Sequence, residues 1–383
     1  MKKIIAAISL FSCLSAQAAW NINDVSILFD LPKSSEELSY LIPADSIISA
    51  SIYDSVKPMV IGDVDMPKDE YKAIRVVGAR LDPCFNYIPT GNKCYAQIRL
   101  VWQPIGRNKA GEYVAMDAGF HTFHELSTIE FKTLLARVDT LKTRMEKAGV
   151  KTQGIPLDIH PAFKNPKTRL AFNTEMKSII QSNATKKNLS RVTFMRLFTP
   201  AIWWVFGGFE IKNGEAIDMK IARLGENEKV INFFNDDFNE VAGMRGAIVP
   251  ELVNDSKADD LTELLKNYSY TFSSPEGKAY VKKSFETLDK VDNPSHFNSE
   301  NMDCVHCHMS TPTRAWLMKK DPALVKANSK TRFKFSGANL ANTSGHLMNT
   351  KSLRLFGHFG TKTAIGQRVI NESAEVVRIL NSK

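Results

Sequence analysis

Residues 302–309 read MDCVHCHM. Cys304 and Cys307 are three apart, His308 follows directly, and His306 lies between the thiols. On one helical turn, residues three or four apart share a face, so two thiols and an imidazole can address one ligand. Such a set can hold a zinc ion, run thiol–disulfide exchange, fix a prosthetic group through two thioether bonds, or simply pack. Zinc asks for a fourth ligand with its own spacing, and the sequence has no second C-x-x-C. A redox pair of the thioredoxin kind asks for C-x-x-C at a helix start inside a βαβ pattern, which is missing here.

The remaining cysteines narrow the choice. The chain has 383 residues and five cysteines. Cys13 falls in an N-terminal stretch with a basic start (Lys2, Lys3), an apolar run and small residues at Ala16 and Ala18. That pattern is a secretory signal over residues 1–18, and its apolar run is too short to span a bilayer. Periplasmic export of a cleaved chain is the expectation. The alternatives are an uncleaved membrane anchor and lipoprotein anchoring through Cys13, although Phe11 fits a lipobox poorly. In an oxidising compartment Cys84 and Cys94 are natural partners, because Pro89, Gly91 and Asn92 between them suggest a hairpin-like loop. Cys304 and Cys307 are then left to serve something else.

Cys304-Val305-His306-Cys307-His308 is C-x-x-C-H, and here the sequence resembles the c-type cytochromes. The resemblance implies one covalent haem c on Cys304 and Cys307, with His308 as proximal iron ligand, attached after export. It implies a sixth ligand from a loop well after the motif and before a C-terminal helix. Met348 is the first choice, His346 and His358 are rivals, and Met318 would need a short return loop. Arg314 and Trp316 could meet a haem propionate or edge. His306 is expected on the surface. The resemblance reaches only the part after about residue 275, and five residues carry it.

The elements that must position these residues follow from periodicity. Short apolar runs separated by turn residues occupy residues 20–120: DVSILFDLP, DSIISASIYD, YKAIRVVGARL, YAQIRLVWQPI and EYVAMDAGFHTF. Ser127 and Glu130 form a capping box ahead of Phe131, Leu134, Leu135, Val138, Leu141 and Met145, with Gly149 as the stop. A looser helix lies near 168–182. Three strands follow, the last two turning at Asn213-Gly214. EGKAYVKKSFETL and ESAEVVRILN read as helices, as does KADDLTELLKNY. Strands and helices in blocks argue for an α+β fold. The expected division is a β-rich antiparallel domain over 19–270 and a mostly helical, cytochrome c-like domain over 271–383.

Hydrophobic residues at 43% and charged residues at 24% describe a globular chain. The net charge is +9, or 9 − 2 = +7 without Lys2 and Lys3. The lysines are spread out as a mostly solvated surface, which is no nucleic-acid footprint but could favour an acidic redox partner or an anionic membrane. No second stretch is long and apolar enough to span a membrane. No Gly-rich phosphate loop, G-x-S-x-G or H-E-x-x-H occurs. His121 and His124 in FHTFHE are a metal pair if helical, or sit on opposite faces if in a strand. The function expected is one-electron transfer by a monohaem cytochrome. The alternatives are a haem enzyme or a gas or peroxide sensor with an open distal site, and a binding protein with a structural haem. The oligomeric state is not encoded in any of these features.

Overall fold

The computed structural model describes residues 19–56, 65–66, 69–84, 95–198, 203–219, 228–232, 274–297, 302, 304–320, 323, 333–344 and 353–382. The signal segment, Cys94, His346, Met348 and the helix expected over KADDLTELLKNY lie outside them.

Nine strands form one antiparallel sheet: β1 (Ser26–Leu28), β2 (Ile74–Asp82), β3 (Ala96–Arg107), β4 (Tyr113–Ala115), β5 (Gly119–Leu126), β6 (Leu189–Phe198), β7 (Trp203–Lys212), β8 (Glu215–Asp218) and β9 (Glu228–Asn232). The main order is β1-β2-β3-β5-β6-β7-β8, with β4 on β3 and β9 on β7. A separate hairpin pairs β10 (Phe356–Phe359) with β11 (Lys362–Ile365). The helices used below are α1 (Ile22–Val25), α2 (Ser35–Tyr40), α3 (Ala50–Val56), α4 (Glu70–Ala73), α5 (Thr128–Lys147), α6 (Pro161–Lys164), α7 (Pro166–Asn183), α8 (Pro275–Asp292), α9 (Cys304–Lys320) and α10 (Gln367–Asn381). The fold is α+β, with an antiparallel sheet and helices. Among the described residues no helix is long and apolar enough to cross a membrane.

Strand alternation gives the sheet two unlike faces. One carries Ala79, Leu81, Ile98, Leu100, Trp102, Phe120, Thr122, His124 and Val192, as the cross-strand registers show. Helix α5 packs over β3 and β5 and meets α7. The α5 capping box is present as expected, Ser127 Oγ accepting from Glu130 N and Glu130 from Ser127 N. The other face carries Arg80, Asp82, Arg99, Gln103, His121 and Phe206. Late segments cover it: Ser26 Oγ meets Ser373 Oγ at 2.7 Å, and Phe206 meets the His308 ring at 5.2 Å between centroids.

Two expected elements differ. DSIISASIYD is not a strand; it gives a short 3-10 turn and then α3, where Ser49 Oγ accepts from Ile52 N. Its apolar residues Ile47, Ile48, Ile52, Tyr53 and Val56 also satisfy helical spacing. The β10–β11 hairpin lies where only helices were expected. Its strands are four residues long, too short to leave a period, and Gly360 turns the chain at φ 61.

The described contacts run across the expected boundary near residue 270. Trp20 and Asn381 exchange two hydrogen bonds, and α10 lies against α1. Leu355, Phe356, Ile365, Ile370 and Val376 share one hydrophobic cluster with Ile27, Leu100 and Phe120.

Candidate functional site

The motif residues occupy the first turns of α9, on the polar face of the sheet. Cys304 and His308, four apart, line one cavity with Gly119, His121, Thr193, Met195 and Arg354. Cys307 packs against the hydrophobic cluster beside them. No disulfide joins Cys304 to Cys307. Burial pushes the Cys307 thiol up to about 12, so it stays protonated near pH 7. Among the described residues no three His, Cys, Asp or Glu side chains converge as a metal-ligand group.

His308 is held by its neighbours in a definite tautomer. Its Nδ1–H donates to the Leu353 carbonyl at 2.7 Å. The Leu353 N–H in turn donates to Asp117 Oδ2, and the Arg354 guanidinium donates to the Asp117 carbonyl. Asp117, in the loop before β5, thus anchors the segment that orients the imidazole. Nε2 of His308 has no hydrogen-bond partner among the described residues. Burial, and then Arg354, keeps this histidine low, at about 4, so the ring is neutral near pH 7. A neutral imidazole with Nδ1–H tied to a carbonyl is the arrangement in which Nε2 serves as a metal ligand.

His121 faces the same cavity from β5, next to Val101 and Thr193 in register. It is half-buried, and neither ring nitrogen has a hydrogen-bond partner among the described residues. Burial, then Arg99, Arg354 and His308, holds it well below the usual histidine range. His124 points to the opposite face. Its Nδ1–H donates to the Thr185 carbonyl at 3.1 Å, and its Nε2 accepts from Thr122 Oγ1 at 3.0 Å. The strand reading of FHTFHE is therefore the correct one, and the two histidines form no pair.

Gly119 explains how the cavity wall comes so close. A Cβ there would stand 2.2 Å from the Trp102 carbonyl oxygen and 2.7 Å from Arg354 Nη2. Only glycine leaves the Arg354 guanidinium room against β3.

The other expected site residues fall elsewhere. His358 donates from Nε2 to the Phe29 carbonyl at 2.8 Å, and Gln103 brackets its backbone. Its Nε2 is thus occupied away from the motif cavity. Arg314 Nη2 is tied to Asp289 at 2.7 Å and Asp292 at 2.9 Å, joining α9 to α8. His306 is not on the surface but 1% exposed, because α9 is covered on more than one side. Met348 and His346 lie outside the described residues, as do the side chains of Trp316 and Met318. Cys84 ends the β2 arm of the β2–β3 hairpin, whose ladder reaches Asp82↔Gln97, while Cys94 is outside the described residues.

The donor set fits a covalently held porphyrin: two thiols three apart and an imidazole with an open Nε2. The cavity has room for about 20 Å³, the space of a water molecule or two. That is far below the roughly 300–1,000 Å³ of ordinary ligand pockets, so the cavity as it stands does not hold a porphyrin.

No family model matches the chain, and neither does any curated protein or solved structure.

Proposed function

We propose that the chain is an exported, periplasmic monohaem c-type cytochrome that transfers single electrons. Cys304 and Cys307 would carry haem c through thioethers, and His308 would bind its iron from Nε2. The observation that carries this reading is the Leu353 carbonyl on His308 Nδ1, which orients and polarises the imidazole next to Cys304 in the shared cavity. The group supplies one-electron exchange when bound. The chain supplies attachment, orientation and a largely dry surround: Asp117 fixes Leu353, Leu353 fixes His308, and Phe206 packs on the ring. A net positive surface suits docking of an acidic redox partner. A Cys84–Cys94 disulfide belongs to the same proposal of an oxidising compartment.

The test is a pyridine haemochrome spectrum on protein made with a haem-attachment system. One haem should survive denaturation with acid and organic solvent, and the double variant Cys304→Ala/Cys307→Ala should lose it entirely. Haem that extracts freely from the wild-type chain would sink the proposal.

A further inference from the structure

We infer that the chain folds without haem and packs its own residues over the C-x-x-C-H motif, so that this packing and a porphyrin on Cys304 and Cys307 exclude one another. The inference goes beyond the function proposed above and does not rest on it.

Three observations carry it. The motif is protein interior rather than the wall of a crevice. Val305 and Met309 are fully buried, His306 is 1% exposed, and Cys307 packs against the main hydrophobic cluster. Second, the space beside the thiols and His308 is taken by the chain itself. Phe206 stands against the His308 ring, the Leu353 carbonyl holds its Nδ1–H, and Arg354 reaches over Gly119. What remains between them is about 20 Å³. Third, α9 is held from three directions by groups of the protein alone. Arg314 ties it to Asp289 and Asp292 of α8. Thr311 Oγ1 accepts from the Gln367 N–H of α10 at 3.1 Å, and β7 lies on the remaining side. The covering residues Leu355, Phe356, Ile365 and Ile370 belong to the same core as the sheet. A core of this extent supplies its own stability, whereas a small separate domain needs a prosthetic group or another staple.

The experiment uses the full chain from Ala19, made without a haem-attachment system and kept reduced. It should unfold in urea in one cooperative transition. Alkylation of Cys307 by iodoacetamide, mapped by peptide mass, should be slowed on the order of a hundredfold relative to the urea-unfolded chain. Added free haem should keep its own Soret spectrum. A chain without a cooperative transition, or a Cys307 that reacts as fast as in urea, would overturn the inference. So would tight one-to-one binding of added haem to the folded chain. Where a chain with covalent haem is obtained, its Leu353 amide, held here by Asp117, should exchange faster with solvent than in the haem-free chain; equal rates would overturn the exclusion. The two claims fail separately. A wild-type chain that takes no covalent haem removes the proposed function and leaves this inference standing. A chain that is uncooperative without haem but carries it covalently does the reverse.

Discussion

His121 and His124 stand three residues apart on β5 and meet opposite surroundings. On the face of His124, Trp102 Nε1–H donates to Thr122 Oγ1 at 2.9 Å, Thr122 donates to His124, and His124 donates to Thr185. Every polar group in that relay is answered, and the rest of the face is apolar. On the face of His121, charges are buried in quantity: Arg80 with Asp82 and Glu372, Arg99 with Asp82, Arg368 with Glu372. There the Nε atoms of Arg99 and Arg354, Oδ1 of Asp117 and Nδ1 of His358 have no hydrogen-bond partner among the described residues. The sheet surface around His124 closes its polar groups on one another, whereas the one around His121 buries charge and leaves some polar atoms unanswered.

Acid should produce the largest effect, and it acts on both faces. Burial lowers His124 to about 4, His160 to about 3 and His358 to about 4. The unfolded chain takes up these protons near pH 6.5, and the folded chain resists until about pH 4. Stability is therefore complete above pH 6.5 and lost as pH falls toward 4, at up to about 1.4 kcal/mol per pH unit for each histidine. Denaturant titrations at stepped pH would show it. A flat profile between pH 6.5 and 4.5 would mean that these imidazoles are not buried neutral.

Glu372→Ala tests the charged face. Burial opposes the Glu372 carboxylate, but Arg80 and Arg368 override it and hold it well below the usual range. Removing it takes a carboxylate from two buried guanidinium groups, of which Arg80 keeps Asp82 and Arg368 keeps the Val291 and Phe297 carbonyls, so unfolding free energy should drop by about 1.5–3 kcal/mol. A loss under 1 kcal/mol, measured by urea unfolding, would show that water already reaches this network. Thr122→Val tests the other face. It leaves Trp102 Nε1 and His124 Nε2 unanswered and should cost about 1–3 kcal/mol without altering the spectrum of the haem proposed for α9. Were that spectrum to change, the two faces would not be independent. Ser127→Ala removes one half of the α5 capping box and should cost about 1 kcal/mol, again on the apolar side only.

Local signals were the readable ones. The α5 capping box, the Asn213-Gly214 turn with φ 54 and 83, and helices α7 and α8 are each decided within a few residues of themselves. So is the placing of Cys304 and His308 on one helix. The α+β class followed from the blocks of strand and helix. What could not be read is long-range. That His121 shares a cavity with His308 depends on the β3-β5-β6 order and on where α9 lands. FHTFHE signals alternation, but nothing in it says which histidine meets the motif. The burial of His306 has the same origin. Leu353 orients His308 through its backbone carbonyl and is itself held by the Asp117 carboxylate from 236 positions away, so neither leaves a local signature beside the motif.

The hydrogen bonds between Trp20 and Asn381 join the two ends of the described chain. Contacts of such sequence separation form late, because the intervening loop must close first. During vectorial synthesis α10 emerges after every other helix named here. Until it docks, Arg80 lacks its Glu372 partner and Ser26 its contact with Ser373. The last helix thus completes the charge balance of a face laid down by strands made long before it.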